Sequence, residues 1–337
     1  MICLWIINTT MDEYTTLTRH LEPQIAQLNR LAKAYLSSEV TLINQVSNYI
    51  VNSGGKRLRP LLTLYFNEIF CDDVTETAEK TLKMAVAIEY IHTATLLHDD
   101  VVDNSQLRRN QATANSVFGN SASILAGDFL YSRAFQIMNE VNSPEIMRMM
   151  ADTTNKIAEG EVLQLMNCNN PKLTEAEYFT VVNYKTAMLF QAACAAPGIL
   201  SSQPKKIVND CKKFGGHIGV AFQLTDDLLD YNGTEADIGK KLGDDLKEGK
   251  ATLPLIRLMA IGDSETKELL TSAIKYPEDT PFEEIVKLVR SSDAISYTQK
   301  KAFNEISKAE ECLLSFSDGK SKEQLRRLLE FVTSRKK

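Results

Sequence analysis

The 337-residue chain is expected to form a single all-α domain spanning residues 1–337. Three observations carry that expectation. Apolar residues recur at spacings of three and four along most of the sequence, as they do on one face of a helix. No run of four to eight residues alternates strictly enough to argue for a strand. No internal repeat, low-complexity tract or long linker divides the chain, and a helical protein of this size can share one core.

The elements follow in order. Leu17, Leu21, Ile25, Leu28 and Leu31 step along one helical face, and Leu42, Val46, Tyr49 and Ile50 along a second. Pro60 suits the first turn of a third helix. Asn169-Asn170-Pro171 is a turn, after which Thr174 and Glu177 have the spacing of a capping box. Ser201-Ser202-Gln203-Pro204 breaks another helix. Thr280-Pro281-x-Glu283 combines an N-cap, a first-turn proline and an N3 glutamate. Leu325, Leu328, Leu329 and Val332 form the last apolar face.

Composition narrows the class. Apolar residues make up 44% and charged residues 24%, an ordinary globular balance. The net charge of −6 gives no support for wrapping nucleic acid. Cys3, Cys71, Cys168, Cys194, Cys211 and Cys312 are scattered without a C-x-x-C pair, so they read as reduced thiols of a cytoplasmic protein. No apolar run approaches the roughly 20 residues that span a bilayer. The opening MICLWII lacks a basic n-region and is short for a signal peptide; residues 1–10 read as disordered or as a misassigned start, with Met11 an equally good beginning.

The chemistry starts at LLHDDVVD. Asp99, Asp100 and Asp103 crowd three carboxylates into about one helical turn, and the nearest cations in sequence are Arg108 and Arg109. Two like charges about 4 Å apart repel by roughly 4 kcal/mol at an effective dielectric near 20, so a partly buried cluster requires a cation. FQLTDDLLDY repeats the spacing with Asp226, Asp227 and Asp230. The first and third aspartates of each set fall about 40° apart on one face, joined by Gln223 on the second helix and by His92 and Thr95 on the first. A lone set would read as a solvated acidic face. Two sets, each embedded in apolar residues, read as metal-binding walls. Oxygen-only donors suit Mg²⁺ or Mn²⁺, and Mg²⁺ commonly shares its shell with substrate phosphates. The opposed walls would hold a diphosphate.

Basic residues complete the pattern. GGKRLRP, residues 54–60, offers Lys56, Arg57 and Arg59 at a glycine-rich helix entry, an anion site in outline. Arg108 and Arg109 would complement a helix C-terminus or grip phosphate. Lys185-Thr186 lies on a helix, and GKKLGDDLKEGKATLP carries Lys240, Lys247 and Lys250 among glycines, like a loop closing over an anion.

LLHDDVVD, GGKRLRP, FQLTDDLLD, the Lys185-Thr186 pair and GKxxGDDxxxGKATLP resemble, in their order along the chain, the trans-polyprenyl diphosphate synthases, in particular bacterial long-chain octaprenyl or solanesyl enzymes. That resemblance implies an isoprenoid synthase fold, a helical bundle around a central cavity, in a homodimer. It implies repeated condensation of an allylic diphosphate such as farnesyl diphosphate with isopentenyl diphosphate. The product would be a long all-trans chain of octaprenyl size, a quinone side-chain precursor, handed over by peripheral contact with a membrane. By the same resemblance all six motif aspartates hold Mg²⁺ on the allylic diphosphate, with Asp99, Asp103 and Asp226 as its ligands. Lys56, Arg59, His92 and Arg109 bind isopentenyl diphosphate. Arg108, Lys185, Thr186, Gln223 and Lys240 hold the allylic diphosphate. Small Ala94, with Thr95, leaves a passage to a deeper pocket, and Met138 is a candidate floor.

Other readings fit less of the sequence. A shorter-chain, geranylgeranyl-type synthase differs only in product length. A class I terpene cyclase shares the first motif but not the second DDxxD or GGKRLRP. A regulatory subunit of a heteromeric synthase predicts eroded motifs. An HD-type metal phosphohydrolase, prompted by His92 and His98-Asp99, needs more histidines than His20 and His217 supply.

Overall fold

The computed structural model describes residues 14–52, 55–71, 76–108, 111–232 and 243–334. Helix α1 (Glu22–Tyr35) follows a 3-10 turn at Arg19–Leu21. The first apolar face is therefore interrupted, because Pro23 enters the first turn of α1 without an N–H to continue the helix before it. Leu17, Leu21 and Leu28 are nevertheless buried. Val46 and Ile50 face inward from α2 (Thr41–Asn52), whereas Leu42 is exposed.

Helix α3 (Leu58–Phe70) buries most of its length, and α4 (Glu76–Val102) is a 27-residue helix with the first aspartate set at its C-terminal end. A two-residue antiparallel ladder follows, β1 (Leu107–Arg108) on β2 (Gln111–Ala112), with Leu107 opposite Ala112 and Arg108 opposite Gln111. It is too short to leave an alternating signal in the sequence. The chain continues through α5 (Ala114–Phe118), α6 (Asn120–Val141), α7 (Pro144–Asn167) and α8 (Glu175–Val182). Thr174 and Glu177 make both bonds of the expected capping box at α8.

A π-helical turn, Asn183–Ala187, joins α8 to α9 (Met188–Leu200). Helix α10 (Lys205–Asn232) carries the second aspartate set. The remaining elements are α11 (Asp244–Lys247), α12 (Leu253–Ile261), α13 (Ser264–Lys275), α14 (Phe282–Ser291), α15 (Ala294–Leu313) and α16 (Lys320–Ser334). At α14 the expected cap is replaced. The helix begins after Pro281 without a side-chain cap, and the Thr280 hydroxyl instead donates to the Ala273 and Tyr276 carbonyls at the end of α13.

Among the described residues, buried apolar side chains form one large cluster and two smaller ones. Glycines set the approach of α10 to its neighbours. A Cβ on Gly215 would lie 2.4 Å from the Phe190 carbonyl oxygen, and one on Gly219 2.8 Å from Ala187 Cα. Only bare backbone permits this contact, and it brings the second motif helix against the π-turn. Cys168, Cys194, Cys211 and Cys312 are free thiols. Among the described residues no helix is long and apolar enough to cross a membrane.

Candidate active site

The three aspartates at the end of α4 have different surroundings. Asp100 is fully buried, and the Arg108 Nε and Nη2 groups donate to its Oδ1 at 2.9 and 2.7 Å. Arg108, expected on a phosphate, is thus committed to Asp100, because the ladder after α4 folds β1 back over the helix end. Asp99 and Asp103 are half-buried and meet lysines from distant segments. Lys185 Nζ lies 3.4 Å from Asp99 Oδ2 and 2.6 Å from Glu161 Oε2. Lys250 Nζ lies 2.8 Å from Asp103 Oδ2 and 2.7 Å from Glu248 Oε2.

These contacts set the charges. Burial pushes the Glu161 carboxyl up to about 7, with Lys185 opposing the shift. Burial also raises Glu248. For Lys185 burial works downward, but Asp99 and Glu161 outweigh it and hold the ammonium above the usual lysine value. Glu248 and Asp103 do the same for Lys250.

On α10 the inward face differs from the one the spacing predicts. Asp226 is exposed, while Asp227 and Asp230 are buried. Gln223 therefore shares its face with Asp227, one full turn on, and not with Asp226. Gln223 Nε2 donates to Asp227 Oδ1 at 2.9 Å, and the Tyr178 hydroxyl donates to the other oxygen. Burial, reinforced by Asp245, raises Asp227 to about 8. Asp230 accepts the Gly243 N–H at 3.0 Å.

The π-turn links the two sets. Lys185 reaches Asp99, and its neighbour Thr186 donates through Oγ1 to Gln223 Oε1 at 2.9 Å. Only a dipeptide and one glutamine side chain separate Asp99 from Asp227.

The basic cluster lies at the entry to α3. Arg57 adopts a left-handed conformation (φ 43°) and bonds the Asn29 side chain. Lys56 Nζ sits 4.8 Å from the Phe331 ring centre, and the Arg59 guanidinium stacks 4.3 Å from that of Phe190. Arg59 Nε is buried with no hydrogen-bond partner among the described residues, and burial lowers its pKa to about 10. Glu89, on α4 three residues before His92, is the acidic group acting on it. His92 is half-buried, and its carbonyl accepts the Thr95 hydroxyl at 2.8 Å. Ala94 and Met138 are both buried in the large apolar cluster, with Thr95 half-buried. Arg109 and Lys240 lie outside the described residues.

Among the described residues no three His, Cys, Asp or Glu side chains converge closely enough to hold an ion alone. The donors are all carboxylate oxygens, and two of them already face ammonium groups. Such a set fits a hard divalent cation that shares its shell with phosphate oxygens. His98 is turned away, its Nε2 3.2 Å from the Ile124 carbonyl and 3.3 Å from Asp128, against α6, which removes the HD-type reading. Glu161, Glu248 and Tyr178 escaped the sequence analysis. Glu161 had one signal, the adjoining Gly160, where a Cβ would lie 2.7 Å from the Lys185 nitrogen.

Residues 40–291 match the profile of the polyprenyl synthetase family, and the chain belongs to that family. It is a prenyltransferase of isoprenoid biosynthesis with the all-α isoprenoid synthase fold. It is 41% identical over 286 residues to the octaprenyl diphosphate synthase of Escherichia coli K12, covering 85% of this chain and 87% of that one. An all-trans-nonaprenyl-diphosphate synthase (geranyl-diphosphate specific) of Rhodobacter capsulatus is 36% identical, with 86% and 87% covered. The crystal structure of a polyprenyl synthase from Caulobacter crescentus, complexed with calcium and isoprenyl diphosphate, superposes with a TM-score of 0.91 at 38% identity, covering 96% and 98%.

Proposed function

We propose that the chain condenses an allylic diphosphate repeatedly with isopentenyl diphosphate, using Mg²⁺, to make a long all-trans polyprenyl diphosphate of about octaprenyl length. The observation that carries this is the link Asp99–Lys185-Thr186–Gln223–Asp227, which sets both acidic helices around one space. The calcium and isoprenyl diphosphate of the Caulobacter structure support a metal–diphosphate site. The octaprenyl relative supports the product length.

A divalent ion held by Asp99, Asp103 and Asp226 would neutralise the allylic diphosphate as it takes up charge. Lys185 stands beside Asp99 and Lys250 beside Asp103, and both would hold its oxygens, with Thr186 and Gln223 fixing the second wall. Breaking the allylic C–O bond leaves an electron-poor carbon that water would quench, so the reaction needs apolar walls. Isopentenyl diphosphate fits the cluster of Lys56, Arg59 and His92, where the buried Arg59 Nε awaits an acceptor. Its double bond attacks, and a proton leaves the adjacent carbon, with the released diphosphate as acceptor. The small Ala94 lets the growing chain pass toward Met138. A homodimer fits the apolar side chains that α6 and α7 leave exposed, among them Leu125 and Leu165. A cytoplasmic location fits the free thiols.

Incubating the purified chain with farnesyl and isopentenyl diphosphates, with and without Mg²⁺, tests the reading. Long prenyl products that depend on Mg²⁺ are expected in product chromatography. A protein that forms no prenyl diphosphate under these conditions would refute it.

A further inference from the structure

We propose that Glu161 and Glu248 are positioning residues that keep Lys185 and Lys250 in place while each lysine exchanges an aspartate for phosphate oxygens. The inference rests on the reading of the site given above. Both lysines show the same arrangement, although they come from unrelated segments. Each ammonium bridges one aspartate of the first DDxxD set and one glutamate outside both DDxxD sets. Lys185 lies nearer its glutamate (2.6 Å) than its aspartate (3.4 Å), and Lys250 is shared almost equally, at 2.7 and 2.8 Å. An ammonium has three N–H donors, so two carboxylates leave one free for a phosphate oxygen.

When a divalent ion claims Asp99 and Asp103, each lysine loses one of its two partners. Without the glutamate, a flexible four-carbon stem would be released into solvent. With it, the ammonium stays at the site and turns toward the diphosphate.

The glutamates are themselves anchored, each by an adjoining glycine. Gly160, beside Glu161, brings α7 against the π-turn that carries Lys185, since a Cβ there would meet the Lys185 nitrogen at 2.7 Å. Gly249, beside Glu248, adopts φ +71°, and its carbonyl accepts the Asn169 N–H at 2.8 Å. A Cβ on Gly249 would lie 2.0 Å from Asn169 Oδ1. Both carboxylates are thus pinned to the end regions of α7.

The test is Mn²⁺ binding in the presence of inorganic pyrophosphate, followed by the electron paramagnetic resonance of free Mn²⁺, on the full chain. Glu161→Gln and Glu248→Gln should each weaken binding about tenfold, the range in which groups that orient metal ligands act. The lysine then belongs wholly to its aspartate and competes with the ion. Glu161→Asp and Glu248→Asp separate this from a diffuse field effect, because they keep the charge and lose the reach. They should bind as weakly as the glutamine variants. In the assay with farnesyl diphosphate, KM should rise more than kcat falls.

Glutamine variants that bind like the unaltered chain, or aspartate variants that retain full affinity, overturn the proposal. The two sites are scored separately, with thermal unfolding confirming that each variant folds. Binding requires no turnover, so an unaltered chain that makes no prenyl product removes the function while the titration still judges the glutamates. An unaltered chain that binds no Mn²⁺ with pyrophosphate overturns both.

Discussion

Adjacent aspartates on α4 do opposite work. Asp100 is fully buried beneath Arg108, whereas Asp99 faces Lys185 and the space between the acidic helices. Asp99→Ala should therefore cut turnover by at least roughly 100-fold, as losing a preorganised electrostatic group does. Its stability should fall by less than that of Asp100→Ala, because Lys185 keeps Glu161 at 2.6 Å when Asp99 is removed. Asp100→Ala strands a largely buried guanidinium and should cost about 3 kcal/mol of stability in urea denaturation. The sequence shows three carboxylates and two arginines at this place, but not that Arg108 takes Asp100. Side-chain direction at a helix end depends on the segment folded over it, here β1. Within α10, Gln223 lies three residues from Asp226 and four from Asp227, and the helix turn gives its side chain to Asp227.

At the scale of elements, the π-turn at Asn183–Ala187 decides how the site is assembled. A π-turn inserts an extra residue into a helical ladder and is frequent at functional sites. Here it aims Lys185 at the first acidic helix and Thr186 at the second. Its seat on α7 depends on Gly160, so Gly160→Ala should lower stability by about 1–3 kcal/mol through overpacking. It should also raise the KM for the allylic diphosphate, read from thermal unfolding and initial rates. Helix positions were legible wherever local chemistry carried them, as at the Thr174–Glu177 box and the break at Ser201–Pro204. The π-turn was not, because nothing in the spacing of NYKTA marks it. Nor were Glu161 and Glu248, since recognising them requires knowing which lysines arrive from elsewhere. At Thr280 the local pattern misled, because its hydroxyl found carbonyls of the preceding helix.

On the scale of the whole molecule, the all-α class was plain in the apolar spacing, and the paired DDxxD sets pointed to the site's chemistry. What the spacing could not supply was the approach of distant helices, which depends on glycines such as Gly215 and Gly219. The surface carries a further message. Leu125 on α6 is 64% exposed and Leu165 on α7 is 61% exposed, with Ile124, Val162 and Met166 beside them in sequence. Exposed apolar side chains of this size fit the subunit contact proposed above. For the homodimer proposed above, changing both leucines to glutamate should lower the sedimentation coefficient to that of a single chain.

Helix α10 contributes to all three apolar clusters of the described residues. Phe214 and Ile218 belong to the large one, Val220 and Leu224 to the second, and Tyr231 to the third. A rod gripped at three places along its length cannot tilt without disturbing all of them. Whatever reshaping accompanies catalysis must fall to its neighbours, with α10 serving as the keel against which they move.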